Sequence, residues 1–557
     1  MTDRLAIYHP AGRVGLGQNV FGKDVANFDL FRALVRQSGL GQVDFLTHAP
    51  IDAGALARSF GATSPGAARI TTASILDDRV PSAAGCLLRG GPRIDELAWQ
   101  RRRAAGDCAY SLMGLIHTIA PPAMRQEIAS AAVAPMQLWD ALICTSPSVQ
   151  SAMVEMFDEW ADYLGDRFNG DRRTRPMLPL LPLGVDGRVF ADHAARPDVR
   201  RSERERLGMA DDDVLVLWVG RLSFFEKAFP QPMMRAVQEA GRKSGKRMHF
   251  AMAGWFPNQA DGERQYGQAA AAHAPDCAFH IIDGNDRTRL AGLWAASDIF
   301  LSLVDNIQET FGITPLEAMA AGLPVVVSDW DGYRYTVRDG EEGFLIPTLM
   351  GPEGALPPAL VAGHTLGLKS YQQYVGIIAQ HTAVDIGSAA DALAVLAASP
   401  DLRRRMGEAG QRRVRESFDW AVVAPQYRAL AAELAEIRLA AGAAARPVAR
   451  RPVKGDPFRD FTSFASSSLS PNTRLRLRDG FGAKDLRKVW TIELDMFAAN
   501  WRGSIDECLV VVARLTETGA ATAGELMDLF PQARRPQVQL SLLWLCKLGI
   551  LSWDAAI

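Results

Sequence analysis

Two separate series of short apolar runs alternating with amphipathic helical stretches constrain this chain most. Leu5 to Tyr8 is a strand-length apolar run, and a loop containing Gly12, Gly15, Gly17 and Gly22 follows it. Val25, Phe28, Phe31, Leu34 and Val35 then recur at helical spacing, Gly39 stops the pattern, and Val43 to Leu46 is a second apolar run. Further apolar stretches lie at 113–116 and 141–145. Strand, helix, strand at this spacing builds parallel sheets through right-handed crossovers. Pro179 to Val185 (PLLPLGV) reads as a hinge, after which a second series begins, with strands expected at 214–219, 248–253, 278–282, 299–304 and 324–328. The segment 386–438 is helical in pattern, and Phe418-Asp419-Trp420 breaks it before a last amphipathic helix at 421–438.

A chain of 557 residues exceeds what one hydrophobic core serves. The expected divisions are a first α/β domain at 1–184, a second at 185–420, the helix 421–438, a linker at 439–457 and a small helical domain at 458–557. The linker stretch AAGAAARPVARRPVKGDP (440–457) has no apolar period and reads as exposed. Beyond it, helical patterns run 505–515, 523–530 and 538–548, with Thr522 and Glu525 spaced as a capping box. In outline this resembles a winged helix, although no wing strands are evident. Trp501, Leu543 and Trp544 would be exposed if the unit stood alone, so a protein partner or a second copy is expected there. Its basic stretch 472–488 reads as a solvated face, and the whole-chain net charge of -2 recruits no nucleic acid. The six cysteines are scattered, which suits a reducing cytoplasm. No apolar run approaches the roughly 20 residues of a membrane span, leaving peripheral contact with the inner membrane face as the other location considered.

The richest stretch is DIFLSLVDNIQETFGITPLEAMAAGLPVVVSDWDGYRYTVRDGEEGFLIP, residues 298–347. A buried strand enters a polar loop carrying Glu309, Phe311 and Gly312, and a helix follows. Thr314 is the expected N-cap, Pro315 the first helical residue, and Gly322-Leu323-Pro324 the stop. That helix N-terminus would stand at the carboxyl end of a parallel strand, where α/β sheets bind ligands and free amides favour an anion. On spacing alone, Glu317 reads as the partner of Thr314 in a capping box, and Glu309 as a loop acid.

The run E-T-F-G-I-T-P-L-E-A-M-A-A-G-L-P-V-V-V-S-D closely resembles the E-x7-E signature of retaining glycosyltransferases of family 4, whose fold is GT-B. The resemblance implies an α/β chain with two Rossmann-like domains facing across a cleft, the first for the acceptor and the second for a nucleoside-diphosphate sugar. It implies that Glu317 binds ribose hydroxyls, while Glu309 and the backbone of Phe311, Gly312, Ile313 and Thr314 hold the donor sugar. Val219-Gly220-Arg221-Leu222 with Lys227 resembles the family's G-R-L…K segment, which grips the diphosphate. Lys227 lies one residue later than usual and lacks the following Gly. Leu183-Gly184-Val185-Asp186 with Phe190, and Phe418-Asp419-Trp420 with the helix after it, fall in the family's order. In that family the last helix crosses back onto the first domain. Asp331-Gly332-Tyr333-Arg334 stands where many members have G-G-x-x-E. Residues 348–385, with His364 and His381, look like an insertion.

In the first domain the resemblance places Gly22 against the donor phosphate, with Gly15 or Gly17 as alternatives. It places His117 at a strand end facing the donor sugar. No cofactor and no metal are expected, and Asp211-Asp212-Asp213 reads as a turn. The expected function is transfer of a sugar from a nucleoside-diphosphate sugar to a glycan, lipid-linked or protein acceptor, with retention of configuration. The alternatives are a nucleotide-sugar hydrolase or epimerase of the same fold, and a non-catalytic sugar-nucleotide-binding regulator acting through 458–557.

Overall fold

The computed structural model describes residues 3–10, 15, 21–169, 175–354, 356–442 and 451–554. Gly12, Gly17 and the linker residues 443–450 lie outside them. Six strands form the first sheet: β1 (Arg4–Tyr8), β2 (Gln42–Thr47), β3 (Arg69–Ser74), β4 (Cys86–Arg89), β5 (Ser111–Leu115) and β6 (Ala141–Ile143). All pair in parallel, in the order β3-β2-β1-β4-β5-β6. Six more form the second: β7 (Val214–Val219), β8 (Met248–Gly254), β9 (Ala278–Asp283), β10 (Ile299–Ser302), β11 (Val325–Ser328) and β12 (Gly343–Ile346). Their order, β12-β11-β10-β7-β8-β9, is the same winding, again all parallel. Helices cover both faces, so central strands such as β5 and β8 are buried along their whole length. The order reverses between β1 and β4 in one sheet and between β7 and β10 in the other. A crevice opens beyond the carboxyl ends of the strands at each reversal.

The polypeptide runs between the two halves twice, and the two passages lie side by side. Val185 pairs with Asp419: Val185 N donates to Phe418 O at 2.9 Å, and Trp420 N donates to Val185 O at 3.1 Å. A Cβ on Gly184 would stand 2.6 Å from the Trp420 ring, so the glycine is what lets the indole lie on the backbone here. Asp419 accepts from Gly187 N and from Ala421 N, tying the passage to the start of helix Trp420–Ala441. That helix packs on helix Gly22–Gln37 and on β5 of the first half. There Arg428 donates to Gly39 O at 2.7 Å and Arg438 to Ser111 Oγ at 3.2 Å.

The 348–385 segment is a helical hairpin, Leu356–Thr365 and Tyr371–Gln380. Its base is closed by a short antiparallel ladder of β13 (Thr348–Leu349) and β14 (Ala383–Val384).

Two compact units divide the chain, Met1–Ala449 and Arg450–Ile557. The second has its own core, with Leu475, Val511, Leu515, Leu526, Leu542 and Leu545 fully buried. The capping box of Thr522 and Glu525 is present. The expectation of a unit without wing strands is corrected: β15 (Arg474–Leu477) pairs antiparallel with β16 (Ala521–Thr522) and β17 (Leu551–Trp553). β15 precedes the helices in sequence, so no local hairpin pattern announces it. Trp544 is also not exposed; it packs edge-on against Trp490, with the Arg502 guanidinium 4.1 Å from its ring. Trp501 and Leu543 do face solvent.

Candidate functional site

A cavity of about 510 Å³ lies between the two halves of the first unit, at the carboxyl ends of both sheets. That volume is in the range of small-molecule sites. Phe21, Gly22, Lys23, His117 and Thr118 line it from the first half, and Arg221, Lys227, Glu309, Phe311 and Gly312 from the second.

Strands β7, β8 and β9 each run into a glycine: Gly220, Gly254 and Gly284. A Cβ on Gly254 would stand 1.8 Å from Gly220 O, and one on Gly284 2.9 Å from Gly254 Cα. Three backbones therefore pack edge to edge as the cavity floor. Arg221, the residue after the first of these glycines, has its guanidinium 5.1 Å from the Phe21 ring centroid and 5.8 Å from that of Trp255. One ring comes from each half, and the charge lies within cation–π reach of both. The edge of Arg221 meets Glu226 at 2.6 Å.

Beyond β10 the loop turns into helix Ile313–Ala320. The expected N-cap is corrected: Gly312 caps this helix, no side-chain cap bond is made, and Thr314 and Pro315 are the second and third helical residues. The Thr314–Glu317 capping box is absent accordingly. Gly312 has φ +81°, and a Cβ there would overlap Tyr333 at 1.8 Å, so the turn into the helix requires glycine. Tyr333 OH is 3.0 Å from Ser302 Oγ.

Glu309 occupies the end of this helix. Its carboxylate receives the Phe311 and Gly312 amides and lies 3.1 Å from Lys227 Nζ. Burial pushes the Glu309 pKa up, but Lys227 and the two amides outweigh it and hold the carboxyl below its ordinary range. Glu317, one turn further along, is half-buried and is not among the cavity-lining residues. It faces Asp29 of the first half and Arg287, which does line the cavity. Burial first, then Asp29, pushes its pKa up to about 7, with Arg287 opposing. Asp331, at φ 35°, hydrogen-bonds Ser146 Oγ across the cleft, and burial raises its pKa to about 7.

His117 stands just beyond β5, its Nε2 2.9 Å from Asn27 Oδ1, and Asn27 Nδ2 donates to Gly90 O at 2.7 Å. Burial lowers its pKa to about 4, so near neutrality the ring is uncharged and acts as a hydrogen-bonding group. The Thr310 hydroxyl donates to His117 O at 2.7 Å, joining the two halves beside the site. Gly22 opens its helix and lines the cavity, and a Cβ there, like one at Gly15, would meet nothing within 4 Å. Neither glycine is therefore demanded by protein packing.

Phe21, Asn27, Trp255, Arg287 and Tyr371 are site residues that the sequence reading passed over. A glycine at the end of each of three successive strands was the available signal for this floor, with Trp255 following one of them.

Residues 199–349, the segment carrying Arg221, Lys227, Glu309 and Glu317, match the family described as glycosyl transferases group 1. This segment is a group 1 glycosyltransferase domain. Among curated relatives, the D-inositol 3-phosphate glycosyltransferase of Stackebrandtia nassauensis is 28% identical over 211 residues, covering 37% of this chain and 42% of that protein. The phosphatidyl-myo-inositol mannosyltransferase of Mycobacterium tuberculosis (strain H37Rv) is 34% identical over 266 residues, covering 47% of this chain and 56% of its own length. The chain thus spans about half the length of the curated relatives it matches. Sucrose-phosphate synthase from Thermosynechococcus elongatus is a solved structure similar at 18% identity and TM-score 0.48, over 79% of this chain and all of that one. The two like-wound parallel sheets facing across a cleft are the GT-B arrangement expected from the sequence. Among the described residues no helix is long and apolar enough to cross a membrane.

Proposed function

We propose that this chain is a glycosyltransferase that takes a sugar from a nucleoside-diphosphate sugar and transfers it with retention of configuration. The observation that carries this reading is the meeting of Arg221, Lys227 and the N-terminus of helix Ile313–Ala320 in one interdomain cavity, with the carboxylate of Glu309 among them. Two cations and free amides suit a diphosphate, whose charge grows as the glycosidic bond breaks. A carboxylate beside them suits sugar hydroxyls, because it accepts two charge-assisted hydrogen bonds.

In this reading the diphosphate lies along Arg221 and Lys227, while Glu309 and the amides of Phe311 and Gly312 share the sugar. Glu317 stands one turn further along the helix, beside the cavity-lining Arg287, and in this reading takes the ribose hydroxyls. His117, uncharged and held by Asn27, offers its ring to a sugar hydroxyl. The bond from the anomeric carbon to the diphosphate oxygen breaks, and its electron pair leaves with the diphosphate. The acceptor oxygen attacks the same face and its proton passes to a diphosphate oxygen, so no enzymic nucleophile is required. The two guanidinium and ammonium charges let the reaction proceed without a divalent cation. Contacts across the cleft, such as Thr310 with His117, close the site against water. The six free cysteines support a reducing compartment, and the reading includes a cytoplasmic enzyme working at or near the inner membrane face. The unit beyond residue 450 serves a protein partner or a second copy.

The test is thermal unfolding of the whole chain with nucleoside diphosphates of each base, since a ligand that binds only the native state raises the melting temperature. One diphosphate should raise it in a dose-dependent way. No shift with any of them at millimolar concentration contradicts the reading.

A further inference from the structure

The inserted hairpin reaches the cavity, although the Rossmann sheet is complete without it. Its second helix, Tyr371–Gln380, lies on both loops that carry the site. On one side, a Cβ at Gly376 would stand 2.9 Å from Phe225 Cβ, so glycine lets the helix seat on the loop between Arg221 and Lys227. Gln372 Nε2 donates to Glu226 Oε1 at 3.2 Å, and Glu226 is the ion-pair partner of Arg221. On the other side, Tyr374 and Val375 are buried with Ala120 of the first half, and Ile307 packs against them. The helix therefore has one fixed placement over the site.

That placement brings Tyr371 to the cavity wall. Its hydroxyl donates to Gln308 Oε1 at 2.7 Å, and both residues line the cavity. Gln308 immediately precedes Glu309. The bond fixes both groups: the phenolic oxygen keeps its acceptor capacity, and the Gln308 amide nitrogen keeps two donors. We propose that Tyr371, with Gln308, is a specificity-determining pair that reads one hydroxyl of the transferred sugar. This rests on the glycosyltransferase reading above. A sugar hydroxyl can donate to the phenolic oxygen and accept from the amide in the same position. An epimer that turns that hydroxyl away leaves both groups unpaired at a half-buried wall, which is how polar sites reject close analogues. Burial raises the Tyr371 pKa above its ordinary value, so the hydroxyl stays neutral and recognises by hydrogen bonding.

Tyr371→Phe keeps the ring and its packing, so the fold should survive, and an unchanged melting temperature checks this. On the full-length chain, kcat/KM is measured for the preferred nucleotide sugar and for its epimers at single ring carbons, together with inhibition by the free nucleoside diphosphate. The preference for the best donor over one epimer should fall by about tenfold or more in Tyr371→Phe and in Gln308→Leu, the size of one lost hydrogen bond to substrate. Inhibition by the nucleoside diphosphate should stay within about twofold, a change too small to be a lost hydrogen bond. An unchanged epimer ratio overturns the proposal. So does a loss of diphosphate affinity in proportion to the loss of donor, which assigns Tyr371 to the leaving group. Turnover of no nucleotide sugar by the unaltered chain overturns the underlying reading with it, whereas normal turnover with an unaltered ratio overturns this proposal alone.

Discussion

Lys227 Nζ lies 3.1 Å from Glu309 Oε2, joining the loop after β7 to the loop after β10. These are the two strands between which the order of the second sheet reverses, so the pair spans the mouth of the crevice. Lys227 is a phosphate-binding cation in the proposed reading and Glu309 a sugar-binding carboxylate. Each is held in place by the other, and Glu309 also by the Phe311 and Gly312 amides.

Glu309→Ala removes the carboxylate and leaves Lys227 without its partner. Because Glu309 sits in a loop, the fold should survive. The turnover number should drop by about 10² to 10³, the usual cost of losing one preorganised electrostatic contact. Steady-state kinetics at saturating donor checks this. Turnover within about threefold of the original, below any such cost, would remove Glu309 from the sugar site.

Arg221→Ala should weaken binding of the free nucleoside diphosphate by about 10- to 100-fold, in line with a charge-assisted hydrogen bond. Arg221→Lys should recover little of it, because a lysine ammonium has neither the planar fork that pairs with a diphosphate nor the broad guanidinium group that meets the Phe21 and Trp255 rings. Calorimetric titration of both variants tests the point. Full recovery by lysine would mean that only charge matters and that the contacts with the two aromatic rings are incidental.

How much of this was legible in the sequence follows from the physics of each element. Strands such as β7 and β8 are buried on both faces and read as continuous apolar runs, and the loop with Glu309 stood out by its motif. β3 (RITTAS) and β4 (CLLR) did not, because one is a partly polar edge strand and the other only four residues long. Thr314 has the side chain of a good N-cap, but Gly312 at φ +81° turns the chain earlier, under pressure from Tyr333 21 residues further along the sequence. Arg221 lies 200 positions from Phe21 and Tyr371 lies 63 from Gln308, and no local pattern encodes such contacts.

Nucleotide affinity should rise with pH through neutrality. The Glu317 pKa is raised to about 7, so the carboxyl is half-protonated there, and ribose hydroxyls favour its ionised form. Binding then releases a proton, and by linkage affinity gains about tenfold between pH 6 and pH 8. The diphosphate titrates alike in every variant, so Glu317→Gln should remove the difference. For folding the sign is opposite. A raised carboxyl pKa contributes stability that is present at low pH and is lost as pH rises to about 7. Titrations in buffers of different ionisation enthalpy measure the released proton, and identical pH profiles for the two proteins would refute the assignment.

Asp140→Ala should destabilise the first unit by about 3–5 kcal/mol, the cost of stranding a buried charge. Arg101 and Asp140 are both fully buried, paired through the two terminal guanidinium nitrogens at 2.6 and 2.8 Å. Asp140 also accepts from Leu112 N in β5, the strand that leads to His117. Urea unfolding of the variant checks this, and a loss below about 1 kcal/mol would show that the site relaxes or hydrates.

The central claim is chemical transfer, and release of the nucleoside diphosphate tests it most directly. A panel of UDP-, GDP- and ADP-sugars, incubated with the protein and chelator and with candidate acceptors, is followed by mass spectrometry of both products. The account predicts one donor class that yields nucleoside diphosphate and glycosylated acceptor in equal amounts, the new bond keeping the donor's anomeric configuration, with Glu309→Ala reducing both together. Nucleotide binding without diphosphate release from any donor, or release that is indifferent to Glu309→Ala, would contradict it.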